Sequence, residues 1–117
     1  MQYAVLIHET PHAFARRTGP DAAAYWSAWS AYFGALGART LSGACLEAPG
    51  AGALVRLTDA GREVHDGPYA DSKEQLGGFA VIEADTLDAA LDWAERCPAA
   101  SAGAVAVRPV KPMQTEG

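Results

Sequence analysis

Phe79-Ala80-Val81-Ile82-Glu83-Ala84-Asp85-Thr86-Leu87-Asp88-Ala89-Ala90-Leu91 passes from strand to helix across a two-residue polar hinge. Phe79 to Ala84 is a short apolar run of the kind that forms a strand covered on both faces. Asp85-Thr86 brings the side-chain oxygens that cap a helix start. Beyond them Leu87, Ala90, Leu91 and Ala94 recur at helical spacing as a buried stripe. Pro98 stops that helix, and Ala104 to Val110 reads as a further strand. The second half of the chain is therefore β-α-β.

The first half repeats the pattern. Tyr3 to Ile7 opens a strand in which Tyr3, Val5 and Ile7 point one way and Ala4, Leu6 and His8 the other. Thr18-Gly19-Pro20-Asp21 signals a helix start, with Pro near the first turn. Trp26, Trp29, Phe33 and Leu36 then form an apolar stripe at helical spacing, and Gly37 suits the position that ends it. Leu41 to Leu46 reads as a second strand and Pro49-Gly50-Ala51-Gly52 as a loop. Ala53–Thr58 and Arg62–His65 flank Asp59-Ala60-Gly61, a hairpin signal. The expected fold is α+β, a ferredoxin-like β-α-β-β-α-β with an inserted hairpin. The domain is residues 1–110, and residues 111–117 form a tail.

In that fold both helices cover one face of the sheet. The other face still carries apolar groups, Leu6 and Val81 or Ile82 among them. An exposed patch of that size is uncommon in a monomer, so a homodimer is expected.

Size and charge narrow the function classes. The chain has 117 residues, 14 acidic against 9 basic, for a formal charge of −5. An acidic surface repels phosphate backbones, so no nucleic-acid role is expected. No stretch approaches the ~20 apolar residues of a membrane span. The N-terminal run has no basic leader and is too short for a signal peptide, so the expectation is a cytoplasmic protein with no membrane contact. Cys45 and Cys97 lack the spacing of a metal site, and both are expected reduced and buried. His8 and His12 likewise lack metal-motif spacing, and Gly77-Gly78 lacks that of a phosphate-binding loop. Neither a metal nor a cofactor is expected.

The stretch His65-Asp66-Gly67-Pro68-Tyr69-Ala70-Asp71-Ser72-Lys73-Glu74-Gln75-Leu76-Gly77-Gly78-Phe79 resembles the DGPF signature of YCII-related proteins. The likeness continues through Val81 to Asp85, Leu87 to Leu91 and Val107-Arg108-Pro109-Val110. It covers about half the chain closely and the rest by element order. The resemblance implies a dimeric α+β barrel, two sheets packed face to face. It also implies a His–Asp acid–base pair with its histidine on the first helix, but Trp26 stands near that position here. Members of the DGPF subgroup often neighbour extracytoplasmic-function sigma factors, which implies a regulatory or interaction role as the alternative to small-molecule binding.

The topology gathers one group of candidates. His8 ends the first strand where the strand from Phe79 begins, and the Asp66–Glu74 segment leaves from that end. A histidine beside a carboxylate is a general base near neutral pH, so His8 and Asp66 are the candidate catalytic pair. Tyr25, Tyr69, Asp71, Lys73 and Glu74 are the candidate ligand contacts, Lys73 for an anionic group. A structural reading stands beside each: Asp66-Gly67-Pro68 has the composition of a turn, and Lys73 and Glu74 that of a solvated pair.

Overall fold

A computed structural model describes residues 1–68 and 72–113. The elements are β1 (Gln2–Glu9), α1 (Pro11–Ala15), α2 (Ala22–Leu36), β2 (Thr40–Cys45), β3 (Ala53–Thr58), β4 (Gly61–Asp66), β5 (Gln75–Glu83), α3 (Leu87–Glu95) and β6 (Ala104–Pro109). Four strands form one antiparallel sheet in the order β2-β5-β1-β6, and β3 and β4 form a separate two-stranded ribbon. The fold is ferredoxin-like α+β.

Strand alternation sets the layers. Along β1, Tyr3, Val5, Ile7 and Glu9 are buried, while Ala4, Leu6 and His8 are half-buried on the opposite face. The buried set meets the helices, and Val5, Leu36 and Ile82 are the largest fully enclosed side chains. The Tyr32 hydroxyl donates to the Trp93 carbonyl at 2.9 Å, tying α2 to α3. The Thr86 hydroxyl accepts from the Ala89 amide at 3.1 Å, as a helix cap should.

Four expectations need correction. A short helix, α1, precedes α2; Thr10 caps it and Pro11 occupies its first turn. On α2 the buried residues are Tyr25, Tyr32 and Leu36. Trp26 is 41% exposed, because one residue of offset turns it 100° away and its indole N–H donates instead to the Arg17 carbonyl at 3.0 Å. On α3, Ala90 and Ala94 are buried while Leu87 and Leu91 stay exposed; the alanines let the helix lie close to the sheet and the leucines flank the contact. Cys97 is buried and free as expected, but Cys45 is exposed. It sits on edge strand β2, beyond the cover of α2. No described helix is long and apolar enough to cross a membrane.

Candidate functional site

Where α2 stops short of β2, the layer between helix and sheet opens into a cleft of about 590 Å³. Trp26, Trp29 and Phe33 on α2 form one wall. Residues 40–45 of β2 form the other. At its base lie Glu9, Arg17 and Tyr25.

The alternation that buries Tyr3, Val5 and Ile7 carries Glu9 to the same face, leaving it 3% exposed. A carboxylate removed from water needs a partner, and two are present. Arg17, in the link between α1 and α2, places Nη2 2.8 Å from Glu9 Oε1. Tyr25, in the first turns of α2, donates its hydroxyl to Glu9 Oε2 at 2.6 Å. Arg17 Nε donates to the Tyr25 oxygen at 3.2 Å, closing a ring of three side chains. Its Nη2 also donates to the Gly77 carbonyl at 3.0 Å, and Nη1 to the Leu46 carbonyl. Four of the guanidinium's five N–H groups are thus committed.

Gly77 makes this closure feasible. The β1–β5 register shifts between Ile7 and His8, which pair with Gly78 and Leu76, so Gly77 is the extra residue of a bulge. A Cβ on Gly77 would collide with Glu9 Oε1 and lie 3.1 Å from Arg17 Nη2. Burial and the Glu9 hydrogen bond push the Tyr25 hydroxyl up to about 12, outweighing Arg17. Burial opposes the charge on Arg17, but the bonds to Glu9 and Tyr25 prevail and hold it above its ordinary value. Tyr25 therefore stays a neutral phenol, and Arg17 stays charged against Glu9. Together they give the cleft a base with no net charge and several free acceptor lone pairs.

The sequence-derived candidates fall in different places. His8, on the opposite face of the sheet, lines a second groove of about 620 Å³ together with Pro68, Ser72, Glu74 and Leu76. The Glu74 amide donates to the Ser72 hydroxyl at 3.3 Å. Asp66 ends β4 on the ribbon, exposed, and is not among the residues lining that groove. Lys73 is exposed. Tyr25 belongs to the first cleft, and Tyr69 and Asp71 lie outside the described residues. The structure thus brings His8 and Glu74 together, but Asp66 and Tyr25 lie apart from them. Among the described residues, no group of three His, Cys, Asp or Glu side chains could hold a metal ion. Sequence reasoning missed Glu9 and Arg17, while the Gly77-Gly78 pair read from sequence as a place of close approach is one, with Glu9 and Arg17 against Gly77. Extending the alternation of Tyr3, Val5 and Ile7 by two residues would have flagged Glu9.

Three comparisons bear on this geometry. A family model described as the YCII-related domain matches residues 1–114. Uncharacterized protein R00369 of Rhizobium meliloti (strain 1021) is 49% identical over 49 residues, and the match spans 40% of this chain and 40% of that protein's length. Among solved structures, 5-chloro-2-hydroxyhydroquinone dehydrochlorinase (TftG) from Burkholderia phenoliruptrix AC1100, in complex with 2,5-dihydroxybenzoquinone, superimposes with a TM-score of 0.57. It is 21% identical, over 95% of this chain and 94% of that one.

Proposed function

The chain belongs to the YCII-related family, and from that premise we propose that it binds a small, uncharged, flat-ringed molecule in the cleft between α2 and β2, where Glu9 accepts a proton or a hydrogen bond from it. The observation that carries this reading is a carboxylate, only 3% exposed, at the base of an aromatic-walled cleft. An apolar pocket with a few convergent polar groups is the usual form of a small-molecule site. Trp26, Trp29 and Phe33 offer flat faces to a ring. The one cation at the base is already held by Glu9 and two carbonyls, which disfavours an anionic ligand. Free lone pairs on Glu9 and Tyr25 favour a ligand that donates, such as a ring hydroxyl. The similarly folded dehydrochlorinase holds a dihydroxybenzoquinone, and this supports hydroxylated rings as the first class to try.

Within the family, the stretch from His65 to Phe79 supports the DGPF subgroup. The half-buried apolar face of Ala4, Leu6, Phe79 and Val81 supports a homodimer through that side of the sheet.

The test is amide chemical-shift mapping with hydroquinone as probe. Saturable shifts centred on Ser42 to Cys45 and on Gly77 and Gly78 are expected. Glu9→Gln should weaken binding by about tenfold or more, the worth of a bond to a charged acceptor. Ser30→Phe should block the cleft without touching the ion pair, and His8→Ala should leave binding unchanged. Shifts centred on the groove of His8 and Glu74, or none up to millimolar probe, would overturn the reading.

A further inference from the structure

The β3–β4 ribbon stands apart from the rest of the fold. Its base is closed by the Gly67 amide donating to the Gly52 carbonyl at 2.7 Å, and its tip by Gly61 at φ 114°. The radius of gyration, 16.3 Å, exceeds the ~13 Å of a compact chain this long, as a projecting element requires. An isolated two-stranded ribbon is at best marginally stable in water. This one is also sided. The register pairs Ala53 with Asp66, Val55 with Val64 and Leu57 with Arg62, so those six side chains share a face. Val55 is 63% exposed, Leu57 86% and Val64 51%. The reverse face is polar, carrying Arg56, Glu63 and His65 along with Leu54.

The charges on the apolar face decide what covers it. Arg62 lies at the tip and Asp66 at the base, both exposed, and among the described residues neither forms an ion pair. Consider a second copy related by a two-fold axis that runs in the plane between the faces, perpendicular to the strands. It would lay tip over base, set Arg62 against the partner copy's Asp66 twice over, and stack Val55 and Val64 on their own counterparts. The face is self-complementary, as a two-fold interface must be. We propose that the apolar face of the β3–β4 ribbon is a self-association surface, pairing tip to base with the ribbon of a second copy. The face measures roughly 20 Å by 10 Å, so the two copies cover roughly 400 Å² between them, well below the ~1,000 Å² of a stable interface, and the association belongs in the upper micromolar range or weaker.

Sedimentation equilibrium from 10 to 500 µM tests this, each variant being compared with wild type at equal concentration so that any pairing through the main sheet cancels. Wild type should gain weight-average mass across the range. Arg62→Asp and Asp66→Arg should each lower the ribbon association constant about tenfold, because each sets like charges face to face. The double variant Arg62→Asp/Asp66→Arg should return to within threefold of wild type, and Leu57→Asp should abolish the association. Recovery in the double variant excludes misfolding as the cause of the single losses. A wild-type mass that stays flat would overturn the proposal and leave the face to a different protein. Single reversals without effect, or a double variant no better than the singles, would overturn it as well.

Discussion

Glu9→Gln removes one charge from the base of the cleft and keeps its shape. The carboxylate is 3% exposed and Arg17 12%, with 2.8 Å between Oε1 and Nη2. At an effective dielectric near 20, attraction at that distance is ~6 kcal/mol, of which desolvation cancels a large part. Removing one partner of a buried pair leaves the other uncompensated, at a cost of about 3–5 kcal/mol. The low end applies, because the Leu46 and Gly77 carbonyls still accept from Arg17. For 117 residues the unfolding entropy at the midpoint is about 0.25 kcal/mol/K, so ~3 kcal/mol corresponds to a fall in Tm of roughly 12 °C. Differential scanning calorimetry measures it directly. Arg17→Met should cost a similar amount, and the double variant less than the sum by ~1–3 kcal/mol. A Glu9→Gln protein melting within 2 or 3 °C (about a quarter of that shift or less) would refute the inference that this pair is shut away from water.

Two other perturbations test neighbouring parts of the site and core. Burial pushes the Cys97 thiol up to about 11, and burial together with the Glu9 bond pushes Tyr25 up to about 12. Both groups hold their protons more tightly when folded, so their contribution is complete below pH 9. Cys97's is lost as pH rises from 9 through 11, and Tyr25's from 10 through 12. Urea midpoints should stay level to pH 8.5 and fall beyond 9, with Tyr25→Phe flattening the upper part; a level profile to pH 11.5 would contradict both shifts. Gly77→Ala should destabilise by ~1–3 kcal/mol, because its Cβ meets Glu9 and Arg17. Gly34→Ala, inside α2 with nothing within 4 Å of the added carbon, should gain ~0.5–1 kcal/mol; equal effects in denaturant titrations would remove the packing argument.

Apart from the short α1, element order, the hairpin and the ferredoxin-like class were legible because each rests on local signals: alternation, capping residues, Gly and Pro. On the α2 stripe Leu36 is buried and Trp29 and Phe33 pack against the core, but Trp26 was misread and Tyr25 and Tyr32 were passed over, because tryptophan outranks tyrosine in hydrophobicity. Tyr25 and Tyr32 are inside because their hydroxyls reach Glu9 and the Trp93 carbonyl; a sequence does not display such bonds. Glu9 was overlooked for a similar reason. A carboxylate at a strand end looks solvated until an arginine eight residues away is known to fold back on it. The bulge at Gly77 depends on β1–β5 pairing at a separation of about 70 residues, beyond the reach of any local pattern. Arg16 and Arg17 are adjacent in the sequence, and nothing local marks which of the two goes inside.

The outer wall of the cleft is β2, an edge strand whose residues past Thr40 are all exposed. Its side chains contribute little to the enclosed core, which draws on Val5, Leu36 and Ile82. Leu41 and Cys45 can therefore be exchanged among relatives at small cost in stability, and each exchange changes what the cleft admits. Glu9, Arg17, Tyr25 and Gly77 have no such freedom, because each is braced by the others. Divergence in ligand preference should accumulate along one strand, while the charge-neutral base passes unchanged from one descendant to the next.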